Sequence, residues 1–215
     1  MKKLLILFVL MFITLYAVVA LAADTGAKVT GTVESVGNWG NFTTTRINTS
    51  DDSKASCINA AQCTGTLSDY TFGIPNGATI DGIEVIAELS CGGGGCTGGT
   101  DDSQLSLKLS WDNGSTYTAV KSTTAGDLTP TDANFTFGGS TDTWGRTWDD
   151  AEFADGTFMV DATTINVTAA GDNGDSINID YLTITVYYTP AAALPTTLTM
   201  SNGTSVMSNG TNIMQ

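Results

Sequence analysis

The sequence has no histidine, little positive charge and few prolines. Its 215 residues include 8 Lys and Arg, 22 Asp and Glu and 4 Pro, and the formal net charge is −14. Without histidine, the chain cannot build an imidazole metal site or a histidine-dependent catalytic triad. Because phosphate backbones are held mainly by Lys and Arg, the charge balance also argues against nucleic acid and anionic membranes as partners.

Threonine, serine and glycine are abundant instead. The chain has 36 Thr, 16 Ser and 24 Gly, whereas charged residues make up only 14% of it. Abundant Thr with little Lys and Glu is typical of strands and turns and unfavourable for helices. The composition therefore predicts an all-β protein.

The N-terminus has the pattern of an export signal. Lys2 and Lys3 precede an apolar run from Leu4 to Ala22, and the run ends in small residues. A positive start, an apolar centre and a small-residue cleavage site are typical of a secretory signal peptide, here residues 1–22. A run of about 19 residues can also span a membrane, so an uncleaved anchor is the alternative. We expect cleavage after Ala22, a secreted or cell-surface location, and no membrane contact of the cleaved chain.

The cysteine content agrees with an oxidising compartment. The four cysteines are Cys57, Cys63, Cys91 and Cys96. An even number in an exported chain predicts two disulfides, for which three pairings are open. The short separations favour pairing 57 with 63 and 91 with 96. A four-cysteine zinc site is the competing interpretation, but only the second pair has its C-x(2–4)-C spacing.

Hydrophobic residues alternate with polar ones between about residues 25 and 190, and Gly, Asn and Asp interrupt the alternation at short intervals. Period two predicts strands, and no amphipathic helix longer than a turn or two is present. We expect a single all-β domain over residues 23–190, an antiparallel two-sheet β-sandwich that is jelly-roll-like, with about eight strands and with 177–188 as its longest, central strand. The strand candidates are 28–36, 42–47, 67–72, 83–89, 105–111, 116–120, 157–167 and 177–188.

One turn has an additional motif. Asn113-Gly114 lies between two alternating runs, and Asn-Gly is the strongest short hairpin signal. The surrounding Ser-x-Asp-x-Gly-x-Thr pattern, residues 110–116, also resembles the Asp-box of sialidases. A sialidase needs three arginines around its substrate carboxylate, and only Arg46 and Arg146 are present. We interpret the motif as a hairpin.

Three segments together resemble a known domain. They are FGIPNGATIDGIEV at Phe72–Val85, FGGSTDTWGRTW at Phe137–Trp148 and INIDYLTITVYYT at Ile177–Thr189. In this order they resemble a jelly-roll-like β-sandwich domain that recurs in secreted bacterial proteins and in phage virion or tail proteins. The resemblance covers roughly residues 38–189. It implies a surface or structural module and supplies no catalytic residues.

Two candidate ligand sites follow from residue type. Trp144 and Trp148 follow a glycine-rich loop and are either core aromatics or an exposed platform for stacking sugars. Asp172 and Asp175 lie in an acidic loop and are the candidate ligands of a structural Ca²⁺, the one cofactor considered, although solvated loop acids have the same pattern. No carboxylate spacing nominates a glycosidase pair, so we expect a protein that is not an enzyme.

Both termini suggest contacts with other copies. Residues 23–36 form a candidate donor strand, with Val29, Gly31, Val33 and Val36 as its contact residues, which either completes its own sandwich or adds to the sheet edge of a neighbour. Residues 191–215 contain a linker and two copies of a seven-residue repeat, Met200–Val206 and Met207–Ile213.

Two functions remain open from the sequence. The first is a structural subunit of an extracellular filament or surface assembly, a homopolymer in which identical subunits join by strand addition. The alternative is a secreted carbohydrate-binding or adhesive module, with glycans as partners. Loss of glycan binding on Trp144→Ala or Trp148→Ala, with the fold intact, would favour the module.

Overall fold

The computed structural model describes residues 20–58, 62–92, 103–165, 176–192, 198–199, 205–208 and 211–214. One short α-helix, α1, spans Thr44–Ile47, and a 3-10 helix spans Asp150–Phe153. The strands are β1 Ala23–Asp24, β2 Thr32–Gly37, β3 Ala55–Ile58, β4 Thr64–Ser68, β5 Thr79–Gly92, β6 Gln104–Ser110, β7 Lys121–Ser122, β8 Ala133–Gly139, β9 Met159–Ile165, β10 Ser176–Thr189, β11 Leu198–Thr199, β12 Ser205–Ser208 and β13 Thr211–Met214.

The strands form two antiparallel sheets that pack face to face. Sheet A has the order β1-β10-β5-β8, with β3 also paired to β10, and sheet B has the order β2-β4-β9-β6-β7. The fold is the jelly-roll-like β-sandwich that the alternating sequence predicts. In the C-terminal segment, β11, β12 and β13 form a small three-stranded sheet of their own.

The core lies between the two sheets and follows the predicted alternation. On β5, Ile83, Val85 and Leu89 have no exposed surface, and on β6 the same holds for Leu107 and Leu109. Burying each such side chain stabilises the fold by about 1.5–3 kcal/mol relative to leaving it in water. Of the intervening residues, Glu84 and Glu88 on β5 and Lys108 on β6 are partly exposed and point outward, whereas Ser90, Ser106 and Ser110 are buried.

The longest strands lie at the centre of sheet A. β5 and β10 have 14 residues each and pair from Ser176–Gly92 to Thr189–Thr79. β10 has β5 on one side and β1 and β3 on the other, so the prediction of a central C-terminal strand is correct. Its register shifts between Ile179 and Tyr181, which leaves Asp180 without a partner residue on β5.

One strand candidate is a helix. Residues 42–47 were expected as a strand, but Thr44–Ile47 form α1. Ile47 is fully buried, and Phe42 lies so close to β4 that a side chain at Gly65 would collide with its ring. Anchoring by these apolar contacts overrides the β propensity of the Thr residues between them.

The N-terminal segment pairs within its own chain. Ala23 pairs with Tyr188 of β10, Lys28 forms a bridge with Ile184, and β2 pairs with β4. Residues 23–37 therefore contribute strands to both sheets of their own sandwich, which is the first of the two arrangements that the sequence left open.

The four residues named as contacts of the candidate donor strand are not buried in their own sandwich. Val29 is 37% exposed, Val36 is 46% exposed, Gly31 is exposed and Val33 is only half-buried, whereas Thr30 is 2% exposed. The chain crosses from sheet A to sheet B here, and the Thr30 hydroxyl donates to the carbonyl oxygen of Ser68 at 2.6 Å. The crossover, and a register shift between residues 33 and 35, reverse the alternation that a straight strand would have.

Several predicted features lie outside the described residues. The apolar part of the proposed signal peptide, residues 4–19, and part of the repeat-bearing tail are among them. Within the described ranges, the structure has no helix with the length and hydropathy of a membrane span.

Candidate functional site

Trp144 and Trp148, for which the sequence left open a place in the core or on a sugar platform, lie inside the sandwich. Trp144 is 3% exposed and Trp148 is 5% exposed. The Trp144 indole N–H donates to the carbonyl oxygen of Ile83 at 2.9 Å, and that of Trp148 donates to the carbonyl oxygen of Thr143 at 2.8 Å. Both residues are therefore core aromatics, the first of the two alternatives, because their rings close one end of the core and their N–H groups are satisfied by backbone.

A cluster that we call the aromatic end surrounds Trp148. The rings of Trp111, Phe153 and Phe158 contact that of Trp148 at centroid distances of 6.1, 5.3 and 5.8 Å, and we include the buried Trp144 in the same name. The guanidinium of Arg146 lies 3.8 Å from the centre of the Trp111 ring and 4.3 Å from that of Trp148, and it binds Glu152 through two hydrogen bonds of 2.7 and 3.0 Å. Cation–π contact and the bidentate ion pair hold the loop over the core.

The outward face of sheet B has a groove of about 370 Å³, which we call the polar groove. It lies on the strands β4, β9 and β6, with Val120 at its side. Its lining residues are Gln62, Thr64, Ser106, Leu107, Lys108, Val120, Asp161, Thr163 and Ile165.

The strand register places the polar side chains of this face in two rows. The inward positions of β6 and β9 are taken by Leu, Val, Ala and the fully buried Thr164. The residues between them point outward, and of these Ser106 is only 5% exposed. The first row contains only hydroxyls, and its members are Ser122, Ser106, Thr163 and Thr64. The second row contains a cation and a carboxylate, and its members are Lys108, Asp161, Thr66 and Ser35.

Hydrogen bonds orient several of these groups. Thr163 donates its hydroxyl to Oδ1 of Asp161 at 2.7 Å, and the hydroxyls of Ser106 and Ser122 are 2.7 Å apart. Nζ of Lys108 is 3.8 Å from Oδ2 of Asp161, which is too long for a direct hydrogen bond. Lys108 and Asp161 therefore attract each other while each keeps hydrogen-bonding capacity for a ligand.

The ring of Tyr117 lies against the ammonium group of Lys108. Nζ of Lys108 lies 4.0 Å from the centre of the Tyr117 ring. Burial raises the pKa of the Tyr117 phenol, and the charges of Asp161 and Asp112 raise it further. The phenol is therefore neutral at physiological pH, and its ring face attracts the ammonium group.

The predicted Asn-Gly hairpin forms next to Tyr117. Asn113 and Gly114 have φ angles of 56° and 78°, as a tight hairpin turn requires. The carboxylate of Asp112 accepts hydrogen bonds from both the backbone N–H and the hydroxyl of Thr116, and the hydroxyl bond is the main cause of the lowered pKa of Asp112. The motif residues are thus engaged in holding the turn.

One predicted disulfide lies at the edge of the groove. Cys57 and Cys63 are bonded to each other, with Cα atoms 6.0 Å apart, and Cys63 directly precedes the groove-lining Thr64. This bond removes two ligands from the alternative four-cysteine zinc site. Cys91 is also disulfide-bonded. Cys96 and the candidate calcium ligands Asp172 and Asp175 lie outside the described residues.

Comparison with known proteins gives similarity of fold alone. No protein-family model matches the chain, and no curated protein matches it in sequence. A truncated AlyQ with CBM32 and alginate lyase domains is 12% identical over 86% of this chain and 39% of its own length, with a TM-score of 0.42. This chain thus spans about two fifths of that protein.

Two smaller solved structures have similar architecture. TmCBM61, solved in complex with β-1,4-galactotriose, is 12% identical over 77% of this chain and 88% of its own length, with a TM-score of 0.34. A CBM4 structure is 13% identical over 74% of this chain and 93% of its own length, with a TM-score of 0.35. All three values of identity lie in the range where only the fold can be compared.

The polar groove was not predicted from the sequence. The alternation on β6 does place Ser106 and Lys108 outward, and that on β9 places Asp161 and Thr163 outward. Nothing in the sequence indicates that these residues of β6 lie beside those of β9. The two strands are separated by about fifty residues, and their pairing depends on the order of strands in the sheet.

Proposed function

We propose that this protein is a non-enzymatic, extracellular binding module that takes a neutral carbohydrate in the polar groove. The observation that carries the proposal is the double row of outward hydroxyl, ammonium and carboxylate groups across β6, β9 and β4. Most of this surface is contributed by rigid strands, which hold ligand-binding groups more precisely than loops do.

The chemistry of the groove matches a polyol. Each sugar hydroxyl both donates and accepts, so it needs donors and acceptors side by side. Lys108 only donates, Asp161 only accepts, and the Ser and Thr hydroxyls do either. The apolar side chains of Val120, which is 56% exposed, and Ile165 flank these groups and offer contact for the C–H faces of a sugar ring.

The charge of the protein favours a neutral ligand. The chain has a formal net charge of −14, which repels polyanions such as acidic glycans. Within the groove itself, the charges of Lys108 and Asp161 cancel. The net charge of the protein and the balanced charges of the groove therefore favour a neutral glycan over an acidic one.

The residues that line the groove do not include the pair of carboxyl groups that hydrolyses a glycosidic bond. Glycosidases generally use two carboxyl groups about 5–9.5 Å apart. Among the residues that line the groove, Asp161 is the only carboxylate. This supports binding without turnover.

Assembly into a homopolymer has less support than glycan binding. Donation of residues 23–36 to a neighbour would first break the pairing of β1 with β10 and of β2 with β4. The exposed Val29 and Val36 do leave apolar side chains on this segment. Sedimentation of the purified protein over a range of concentrations tests this alternative, which would gain support if polymers formed and disappeared on deletion of residues 23–36.

A glycan array followed by calorimetric titration tests the groove. We expect a neutral oligosaccharide to bind the native protein and to bind Asp161→Asn and Lys108→Met about tenfold or more weakly, since each variant removes a hydrogen bond to a charged group. Lys121→Met is the matched control, because Lys121 carries the same charge but does not line the groove. Binding that survives the combined groove variants, or the absence of any neutral glycan ligand, would overturn the proposal.

A further inference from the structure

Three aspartates meet on sheet A, away from the polar groove. They are Asp52, in the loop before β3, Asp132, directly before β8, and Asp180, at the register shift of β10. One carboxylate oxygen from each lies within 4.8 Å of those of the other two. Carboxylates repel one another at this distance unless a proton or a cation lies between them.

Asp180 has a buried oxygen with no partner. Its side chain is 2% exposed, and Oδ2 accepts a hydrogen bond of 3.0 Å from the backbone N–H of Asp52. Oδ1 is buried and has no donor. An ionised oxygen in this position is costly, since it has lost water and gained nothing in exchange.

Two further acceptor oxygens in the same region lack donors. Within the described ranges, five buried side-chain N or O atoms have no hydrogen-bond partner, and three of them can only accept, namely Asn48 Oδ1, Asp132 Oδ1 and Asp180 Oδ1. Asn48 forms a bridge with Tyr181, the residue after Asp180. Buried polar groups are normally satisfied, so a concentration of unsatisfied acceptors indicates a missing positive ligand.

Lys54 neutralises only part of the charge. Nζ of Lys54 is 2.7 Å from Oδ2 of Asp132 and also donates to the hydroxyl of Ser90 at 3.3 Å. Three carboxylates and one ammonium leave two negative charges, which one divalent cation would balance.

We propose that Asp52, Asp132 and Asp180 bind one Ca²⁺. The donor set is all oxygen, as a hard cation prefers, and water and nearby oxygens can complete the six to eight ligands. Oxygens on opposite sides of a Ca²⁺ are up to about 5 Å apart, compared with about 4 Å for Mg²⁺. The spacing of the carboxylate oxygens therefore accommodates Ca²⁺ without first contracting.

The ion would fasten three separate segments together. Asp52 belongs to the loop that continues from α1, Asp132 leads into β8, and Asp180 belongs to the central strand β10. Its role is thus structural, and it is independent of glycan binding in the groove.

Two measurements on the full chain test the proposal. Titration of the metal-free protein with Ca²⁺ should show one site, and Tb³⁺, which takes the same oxygen ligands, should show luminescence sensitised by Tyr181 next to Asp180. At about one hundred times Kd, Ca²⁺ should raise the Tm by about 5–10 °C, because it binds only the folded state. Mg²⁺ at the same concentration should have a smaller effect.

Two variants and a control connect the effect to these residues. Asp180→Asn and Asp52→Asn should each weaken Ca²⁺ binding at least tenfold and abolish most of the Tm shift. Asp52 has a φ of 63°, a conformation that Asn also tolerates, so Asp52→Asn should remain folded even if the buried Asp180→Asn does not. Asp127→Asn, in an exposed turn, should leave binding unchanged.

The contrary results are equally specific. If Ca²⁺ neither binds nor shifts the Tm, or if Asp52→Asn binds Ca²⁺ as tightly as the native protein does, the site is not a calcium site. These readouts need no glycan, so they can fail while glycan binding in the groove is retained, and the reverse is also possible.

Discussion

The aromatic end and the polar groove are the two regions where a ligand could have been expected, and they differ in what they leave accessible. Trp144 and Trp148 bring large rings, but both are buried and both indole N–H groups are bonded to backbone. The groove has no aromatic lining residue, yet its hydroxyl and charged groups face outward. At the aromatic end the large apolar side chains are buried in the core, whereas the polar side chains of the groove lie on the outer face of sheet B.

This difference shows that residue type alone does not identify a binding site. A tryptophan stabilises a fold most when its ring is buried and its N–H is satisfied, and it binds a sugar only when the ring is exposed. Threonine and serine fit a pleated outer face, where their hydroxyls bond to neighbouring side chains and keep further capacity to accept. Variants of the two regions should therefore have opposite effects on stability and binding.

The largest expected effect is that of Trp148→Ala. The ring contacts Phe153 and Phe158 at centroid distances of 5.3 and 5.8 Å and lies under Arg146. We expect the free energy of unfolding to fall by about 3–5 kcal/mol, because a buried Trp is replaced by a cavity. Denaturant unfolding measures this loss, and the folded fraction should still bind glycan.

Asp161→Asn should have the opposite effect to Trp148→Ala, because it should weaken glycan binding and leave the stability of the fold nearly unchanged. Its stability should stay within about 0.5–1 kcal/mol of the native value, since the loose ion pair with Lys108 contributes little. If folded Trp148→Ala lost glycan binding while Asp161→Asn kept it, the roles assigned to the two regions would be reversed.

An intermediate effect is expected from removing the disulfide at the groove edge. The bond joins Cys57 to Cys63 across a short loop that includes Gln62, a lining residue of the groove. Cys57→Ala with Cys63→Ala should lower the free energy of unfolding by about 2 kcal/mol. Calorimetry should also show weaker glycan binding, because Gln62 and Thr64 would be held less firmly. Native affinity in the folded double variant would mean that the groove does not depend on this loop.

The smallest effect concerns an ion pair beside the aromatic end. Nζ of Lys121 donates to Oδ2 of Asp142 at 2.7 Å, and this bond is the main cause of the lowered pKa of Asp142. A carboxyl whose pKa is lower in the folded state stabilises the fold above its unfolded pKa of about 4, and this contribution is lost as the pH falls through the folded value. Since Asp142 is 37% exposed, the contribution should be below about 1 kcal/mol.

Asp142→Asn should therefore be slightly less stable than the native protein at neutral pH and equally stable in strong acid. Urea unfolding at about pH 7 and about pH 2–3 measures the difference. Asp127→Asn, in an exposed turn, is the control at both values. A difference between Asp142→Asn and the native protein that persists in acid would show that it arises from packing and not from the ion pair.

Features that arise from residues close together in the chain could be predicted from the sequence, whereas features that arise from contacts between distant residues could not. The burial of Ile83, Val85 and Leu89 follows from period two, and the turn at Asn113-Gly114 follows from the φ angles that these residues accept. The exposure of Val29 and Val36 did not follow from the alternation, because the crossover between sheets and the register shift on β2 change which side chains point inward there. The helix α1 was missed because the contacts of Phe42 and Ile47 that stabilise it lie elsewhere in the fold.

The chain's own pattern of apolar, polar and turn residues was sufficient to determine its class, two antiparallel sheets around one core. It was sufficient because alternation and turn chemistry act between residues close together in the chain. Which side chains became neighbours across the sheets was decided only in three dimensions: the polar rows of β6 with β9, and the meeting of Asp52, Asp132 and Asp180. Strand order and the register shift on β10 set those proximities, and both arise from contacts between residues far apart in sequence.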